Sequence, residues 1–157
     1  HLSAALFEKR AGIDMNHVPY RGNAPAMTDV IGGQLNMMFD IVSTGRNYVN
    51  SGRVRAVAVT SKERNPSMPD VPSMRELGIA DYEVVGWYGV FGPAKMPADL
   101  VKRYNEAARR ALAQPELKAK LIEQGNELWV GAPQLLTDRI TRERAMWATV
   151  TKGIELD

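Results

Sequence analysis

A chain of 157 residues with 45% hydrophobic and 24% charged residues has the balance of one globular domain, or of one lobe of a larger protein plus part of the next, and excludes a disordered chain. Twenty Lys and Arg against 18 Asp and Glu give a formal charge of +2, and the basic residues are scattered, so the stripe of cations that a nucleic acid requires is missing. The absence of cysteine excludes a disulfide scaffold, a thiolate nucleophile and a cysteine-based zinc site, and no apolar run approaches the roughly 20 residues of a membrane span.

Residues 2–11, LSAALFEKRA, place Leu2, Ala5 and Leu6 on one helical face and end at Gly12, the residue type that follows helix C-termini. No capping Ser, Thr, Asp or Asn precedes this helix and neither does a Met, so the chain is expected to begin inside an element, its leader or its preceding half removed. MNHVPY (15–20) is a strand, and APAMTDVIGG (24–33) is a helix with Asn23 as its cap and Pro25 in the first turn, where a missing N–H costs nothing. LNMMFDI (35–41) is a nearly unbroken apolar run of strand length, the pattern of a strand covered on both faces. TGRNYVNSG (44–52) allows a short helix, and VRAVAVTS (54–61) is a third, valine-rich strand. Strands alternating with helices through short links predict right-handed crossovers and a parallel sheet, hence a small doubly wound α/β lobe.

The prolines and charges of KERNPSMPDVP (62–72) predict an irregular surface loop, followed by a short helix SMRELG with Ser73 as cap and Gly78 as stop. YEVVGWYGVFGPAKMP (82–97) is extended, aromatic and glycine-punctuated, too long for one ordinary strand, and suits a passage from one lobe to another. Beyond it the pattern changes to long amphipathic helices. The first covers 98–114, with Leu100, Tyr104, Ala107, Ala108, Ala111 and Leu112 on one face; the second covers 115–125; a strand ELWVG intervenes before the last, at 132–153.

Ligands of open parallel sheets sit beyond the carboxyl ends of the strands, where loops turn into helices. Here those loops are Tyr20–Ala24 and Asp40–Thr44. The N–H groups at residues 22 to 25 carry partial positive charge and suit a carboxylate or another small anion. Gly22 permits close approach of the backbone, or simply a tight turn; Asn23 contacts ligand, or only caps. Arg21 offers a planar fork to an anion, or is solvated. Asp40 orients an amine, hydroxyl or water, or caps the next turn, and Ser43 and Thr44 carry the same two readings. Tyr20 presents its hydroxyl to the cleft or fills the core. Reaction chemistry is thinly represented. His1 and His17 have no metal-like or triad-like spacing with carboxylates, and His17 is read as structural. GVFGPAKMP lacks the third glycine and the helix of a dinucleotide fingerprint. No catalytic residue, metal site or cofactor is expected.

In order and spacing, HVPYRGNAPAMTDVIGGQLNMMFD, GRVRAVAVTSKERNPSMPDVPSMRELGI, YEVVGWYGVFGPAKMP and the closing helices resemble the substrate-binding proteins of tripartite tricarboxylate transporters, the TctC-like Bug family. The resemblance covers essentially the whole chain and matches the C-terminal half of such proteins. It implies an extracytoplasmic, type II periplasmic-binding-protein-like α/β fold, in which residues 1–83 form the second lobe, 84–94 the hinge or crossing strand, and 95–157 a helical segment returning to a first lobe whose remainder is absent. It implies a receptor that catches a small organic acid or amino-acid-like solute and passes it to membrane transporter subunits, without enzymatic activity, cofactor or nucleic acid. Its binding loop falls on Tyr20, Arg21, Gly22, Asn23 and Ala24, with Asp40 at a strand end facing the cleft and Ser43 nearby. Where many relatives carry a Lys and a second Gly, this chain has Arg21 and Asn23, and the Asn that often follows Asp40 is Ile41. The pocket of the half alone is expected to be incomplete, its apolar surface open to association. A nucleotide-binding oxidoreductase or transferase fragment is the alternative reading, and a ligand-loaded sensor a third.

Overall fold

The computed structural model describes residues 1–152 and divides the chain into two compact units, His1–Gly86 and the residues from Trp87 onward. Gly153, with which the last predicted helix closes, lies outside the described residues.

The first unit contains α1 (Leu2–Ala11), α2 (Asn23–Ile31) and α3 (Val42–Asn50). α1 stops where predicted. Gly12 takes a left-handed conformation with φ 66° and returns its amide to the Glu8 carbonyl at 2.8 Å, while Lys9 and Arg10 lie at the negative end of the helix dipole. Leu6 is 1% exposed and joins Ala26, Met27, Val59, Met74 and Tyr82 in the core of this unit. Around it Phe7, Phe39 and Tyr82 form a triangle of rings with centroids 6.1 to 6.4 Å apart, and the Tyr82 hydroxyl donates to the Ser3 carbonyl at 2.9 Å.

α2 and α3 begin one and two residues before the predicted starts. Gly22 supplies the N-cap backbone of α2, and Asn23, the predicted cap, is the first helical residue with no side-chain capping bond. For α3 the extra residues come from Val42 and Ser43, which follow an extended Ile41.

The predicted strands supply little regular ladder. Among the described residues the one β pairing is a parallel bridge between Val59 and Ser73. Val59 donates to the Pro72 carbonyl at 2.8 Å and accepts from the Met74 amide at 3.0 Å, and on the other side Thr60 accepts from the Val84 amide at 2.9 Å. Residues 59–60 thus hold the central place among three chain segments. Elsewhere the apolar runs remain partly open: Val18, Met37, Ile41 and Val57 are 42%, 45%, 48% and 66% exposed. Strands of a parallel sheet are built to be covered on both faces, and in this chain those faces have few neighbours to cover them.

The proline-rich loop is irregular, as predicted, yet ordered by its own bonds. Asn65, 6% exposed, accepts the Ser67 amide at 2.9 Å and hydroxyl at 2.6 Å on its side-chain oxygen. Arg64 grips Glu76 and donates to the Pro69 carbonyl at 2.9 Å. Residues 73–78 make one helical turn instead of a helix. Gly78 ends it at φ 85°, and the Ile79 amide reaches back to Met74 at 3.1 Å.

The second unit contains α4 (Ala98–Leu112), α5 (Pro115–Glu123) and α6 (Pro133–Val150). Pro opens α5 and α6, Asp99 and Glu116 sit in the first turns of α4 and α5, and Arg109, Arg110 and Lys120 sit in their last turns, all favourable to the helix dipole. α4 packs on α5, but the face predicted to be apolar is largely open, and Tyr104 is 63% exposed. ELWVG forms no ladder. The buried polar centre of this unit is Arg139, 5% exposed. Its Nε donates to Glu143 at 2.6 Å and its guanidinium lies 3.8 Å from the centre of the Trp129 ring, while Trp87 Nε1 donates to the other Glu143 oxygen at 2.7 Å.

Candidate functional site

All seven residues singled out for ligand contact lie in the first unit, at the starts of α2 and α3. Gly22 has φ 128° and ψ 171°, a backbone state that side chains with a Cβ rarely adopt. It lets the chain swing from Tyr20–Arg21 into α2 with the N–H groups of Gly22, Asn23 and Ala24 heading the helix. A helix leaves its first amides without intrahelical partners. Pro25 has no N–H, so the donor set ends at residue 24 instead of 25. Neither α2 nor α3 carries an acidic residue in its first turn, and the carboxylate bonded at their starts is that of Asp40, which lies outside both helices. Arg21 and Ala24 are exposed beside these amides.

Asp40 connects the two helix starts. Its Oδ1 accepts from Asn23 Nδ2 at 2.5 Å and from the Ile41 amide at 2.9 Å, and its Oδ2 accepts from the Thr44 hydroxyl at 2.8 Å. The same hydroxyl lies 3.1 Å from the Ile41 carbonyl. Loop 20–24 and loop 40–44, separate in sequence, are thereby tied together through one carboxylate. Ser43 sits exposed in the first turn of α3. Further along α3, the buried Nε of Arg46 has no hydrogen-bond partner among the described residues.

Tyr20 is otherwise engaged. Its hydroxyl donates to Asp29 Oδ2 at 2.5 Å, and that bond, with partial burial and the Asp29 charge behind it, raises the phenol above its usual 10.0. The hydroxyl therefore anchors the strand-side of the loop to α2. His17 stacks its ring on His1 with centroids 3.9 Å apart, in keeping with the structural reading. Asp29 is the contributor to this architecture that sequence reasoning did not place in the site, and Thr44, read there as a ligand contact or a cap, serves by holding Asp40. Thr44 carries a local signal, a hydroxyl four residues after a carboxylate at a helix start, whereas the pairing of Tyr20 with Asp29 depends on how the loop folds back.

Among the described residues no cluster of three or more His, Asp or Glu could hold a metal ion, and no helix is long and apolar enough to cross a membrane. In the second unit an open groove of about 540 Å³ is lined by Trp87, Ile140, Glu143, Arg144, Trp147 and Ala148. None of the predicted ligand residues belongs to it, and its Glu143 carboxylate is already taken by Trp87 and Arg139.

Comparison with known proteins gives this geometry a family. A UPF0065 protein of Pseudomonas sp. is 39% identical over 148 residues, 94% of this chain and 44% of that protein. Three solved structures align over nearly the whole chain. An R. palustris protein with adipate superposes with a TM-score of 0.84 at 31% identity, covering 97% of this chain and 51% of that one. The periplasmic binding protein BugD gives 0.81 at 31% identity over 97% and 52%, and MatC from Rhodopseudomonas palustris with bound malate gives 0.77 at 30% identity over 95% and 52%. The chain therefore spans about half the length of these relatives, and its α/β architecture is that of the periplasmic binding proteins. Residues 1–156 match the tripartite tricarboxylate transporter family receptor pattern, and the chain belongs to that family, TctC.

Proposed function

We propose that this chain is the solute-gripping part of a periplasmic receptor that binds a small organic carboxylate and delivers it, chemically unaltered, to membrane transporter subunits. The observation that carries this reading is the start of α2: three peptide amides at residues 22–24, a glycine backbone that opens access to them, Arg21 alongside, and no carboxylate in the first helical turn. Helix starts of this kind suit anions. Family membership supports the class of protein, and adipate and malate in related structures support the class of solute.

Residues 1–83 act as one lobe, 84–94 as the connection that absorbs lobe rotation, and 95–157 as a return to the other lobe. Tyr20, Arg21, Gly22, Asn23, Ala24, Asp40 and Ser43 line the solute side, with Tyr20 serving through its ring and its tie to Asp29, because its hydroxyl is spent. Binding needs donors and shape only, so no acid, base or cofactor takes part.

Melting the full-length protein against a panel of mono-, di- and tricarboxylates and amino acids tests this. A solute at about 100 times its Kd adds about 2.7 kcal/mol to the folded state, read as a rise in melting temperature. A flat response across the whole panel, or turnover of any solute, would sink the proposal.

A further inference from the structure

The receptor reading underlies this inference, which concerns what the site selects. An ionised Asp accepts hydrogen bonds and cannot donate them. The Asn23 amide facing Asp40 at 2.5 Å therefore turns its NH₂ group toward the carboxylate, and its own carbonyl Oδ1 away from it. The orientation follows from the chemistry of the partner. Asp40 is in turn held on both oxygens, by Asn23 and the Ile41 amide on one and by the Thr44 hydroxyl on the other. Three donors on one carboxylate fix its plane, and a fixed carboxylate fixes Asn23. Because Asn23 is the first residue of α2, its backbone N–H, a donor, and its side-chain carbonyl, an acceptor, stand on the same exposed residue.

We propose that the Asn23 carbonyl is a specificity-determining acceptor, with Asp40 and Thr44 as the positioning residues that keep it turned outward. It selects carboxylates that carry a hydroxyl or ammonium donor on the carbon next to the carboxyl group. Such a solute gives its carboxylate oxygens to the amides and its donor to Asn23 Oδ1. A plain carboxylate offers only acceptors and leaves the carbonyl unmatched.

Calorimetric titration of the full-length protein with malate and succinate, which have the same chain length and differ by one hydroxyl, reads this directly. Malate is expected to bind about five- to tenfold more tightly, the worth of one neutral hydrogen bond. In Asn23→Ala the ratio of the two affinities falls to about one. Thr44→Val lowers the ratio, while Thr44→Ser, which keeps the hydroxyl, preserves it; a role confined to folding would not follow the hydroxyl in this way. Melting curves check that each variant is folded, and if Asn23→Ala is not, the Thr44 pair carries the test. Equal binding of the two acids by the unaltered protein, or a ratio unchanged in Asn23→Ala and Thr44→Val, overturns the selector and leaves the receptor standing. Failure of every carboxylate in the panel to bind overturns both.

Discussion

Ser73 and Glu76 cap each other. The Glu76 carboxylate accepts the Ser73 amide at 2.8 Å, and the Ser73 hydroxyl accepts the Glu76 amide at 3.3 Å, closing the reciprocal box that starts a helical turn. Arg64 completes it with bonds of 2.9 and 3.1 Å from Nε to the two Glu76 oxygens. These contacts, Arg64 first and the Ser73 amide second, hold the Glu76 carboxyl at about 2, down from its ordinary 4.5. A carboxyl depressed in the folded chain stabilises it fully above about 4.5, and that contribution drains away as the pH falls toward about 2.

The first prediction is therefore a gap in melting temperature between the unaltered chain and Glu76→Gln that is constant near neutrality and closes in acid. Surface exposure screens the interaction, so the gap is small and added salt narrows it. A gap that fails to narrow as the pH falls from about 4.5 toward about 2 would contradict the assignment.

The core of the first unit makes a second prediction. Leu6 is 1% exposed, on the face of α1 that the sequence marks as apolar. Leu6→Ala is expected to cost about 2–5 kcal/mol, the sum of lost transfer energy and a cavity. Tyr82→Phe keeps the ring among Phe7 and Phe39 and removes only the bond to the Ser3 carbonyl, so it should cost about 1 kcal/mol. Urea unfolding followed by circular dichroism separates the two. Equal effects would mean that the hydroxyl and not the ring holds α1 in place.

The helices of this chain were legible because their signals are local. Gly12 and Pro115 mark ends that the backbone respects, and Ser73 caps its turn. Glu76, three residues on, completes a capping box that is equally local. Asn23 as a cap was the natural reading of a local pattern, and it failed because the helix begins one residue earlier, with Gly22 at the cap and Asn23 already helical, its side-chain NH₂ turned to Asp40, 17 positions away. Apolar runs announced strands, but pairing needs neighbours. Val59 found them at Pro72 and Met74, while Val57, two residues earlier, is 66% exposed. The loops of the site could be named in advance from where helices begin; the bonds of Tyr20 to Asp29 and of Asn23 to Asp40, which hold those loops in place, depend on three-dimensional approach, whereas the bond of Thr44 to Asp40 is local.

Arg139 provides a third prediction, in the second unit. Its charge is 5% exposed, paired with Glu143 at 2.6 Å and laid against Trp129. Removing one partner of a buried pair strands the other, so Arg139→Ala is expected to destabilise this unit by about 3 kcal/mol. Arg139→Lys restores the charge but not the planar fork or its stacking on the ring, and should fall between. Tryptophan fluorescence during denaturation reports the loss, because Trp87 and Trp129 both touch this cluster. A near-neutral Arg139→Ala would show that water reaches Glu143 freely.

Gly22 bears on both the fold and the proposed site, and a matched control separates the two effects. A Cβ built on Gly22 meets nothing within 4 Å, so there is no clash, but the residue stands at φ 128°. Any cost of Gly22→Ala is therefore backbone strain, about 1–3 kcal/mol. Gly86 also has open space around a built Cβ, and its φ lies outside that region. Gly86→Ala is expected to leave stability within about 0.5 kcal/mol. If the amides of residues 22–24 hold a carboxylate, Gly22→Ala in the full-length protein also loosens binding, because relieving the strain re-aims those amides, whereas Gly12→Ala, at φ 66° with open space around a built Cβ and outside the proposed site, does not. Thermal melting gives the stability difference and titration with a bound dicarboxylate gives the affinity difference. Gly22→Ala that melts lower yet binds as tightly as the unaltered protein would place the solute elsewhere, and one that melts unchanged would remove the strain itself.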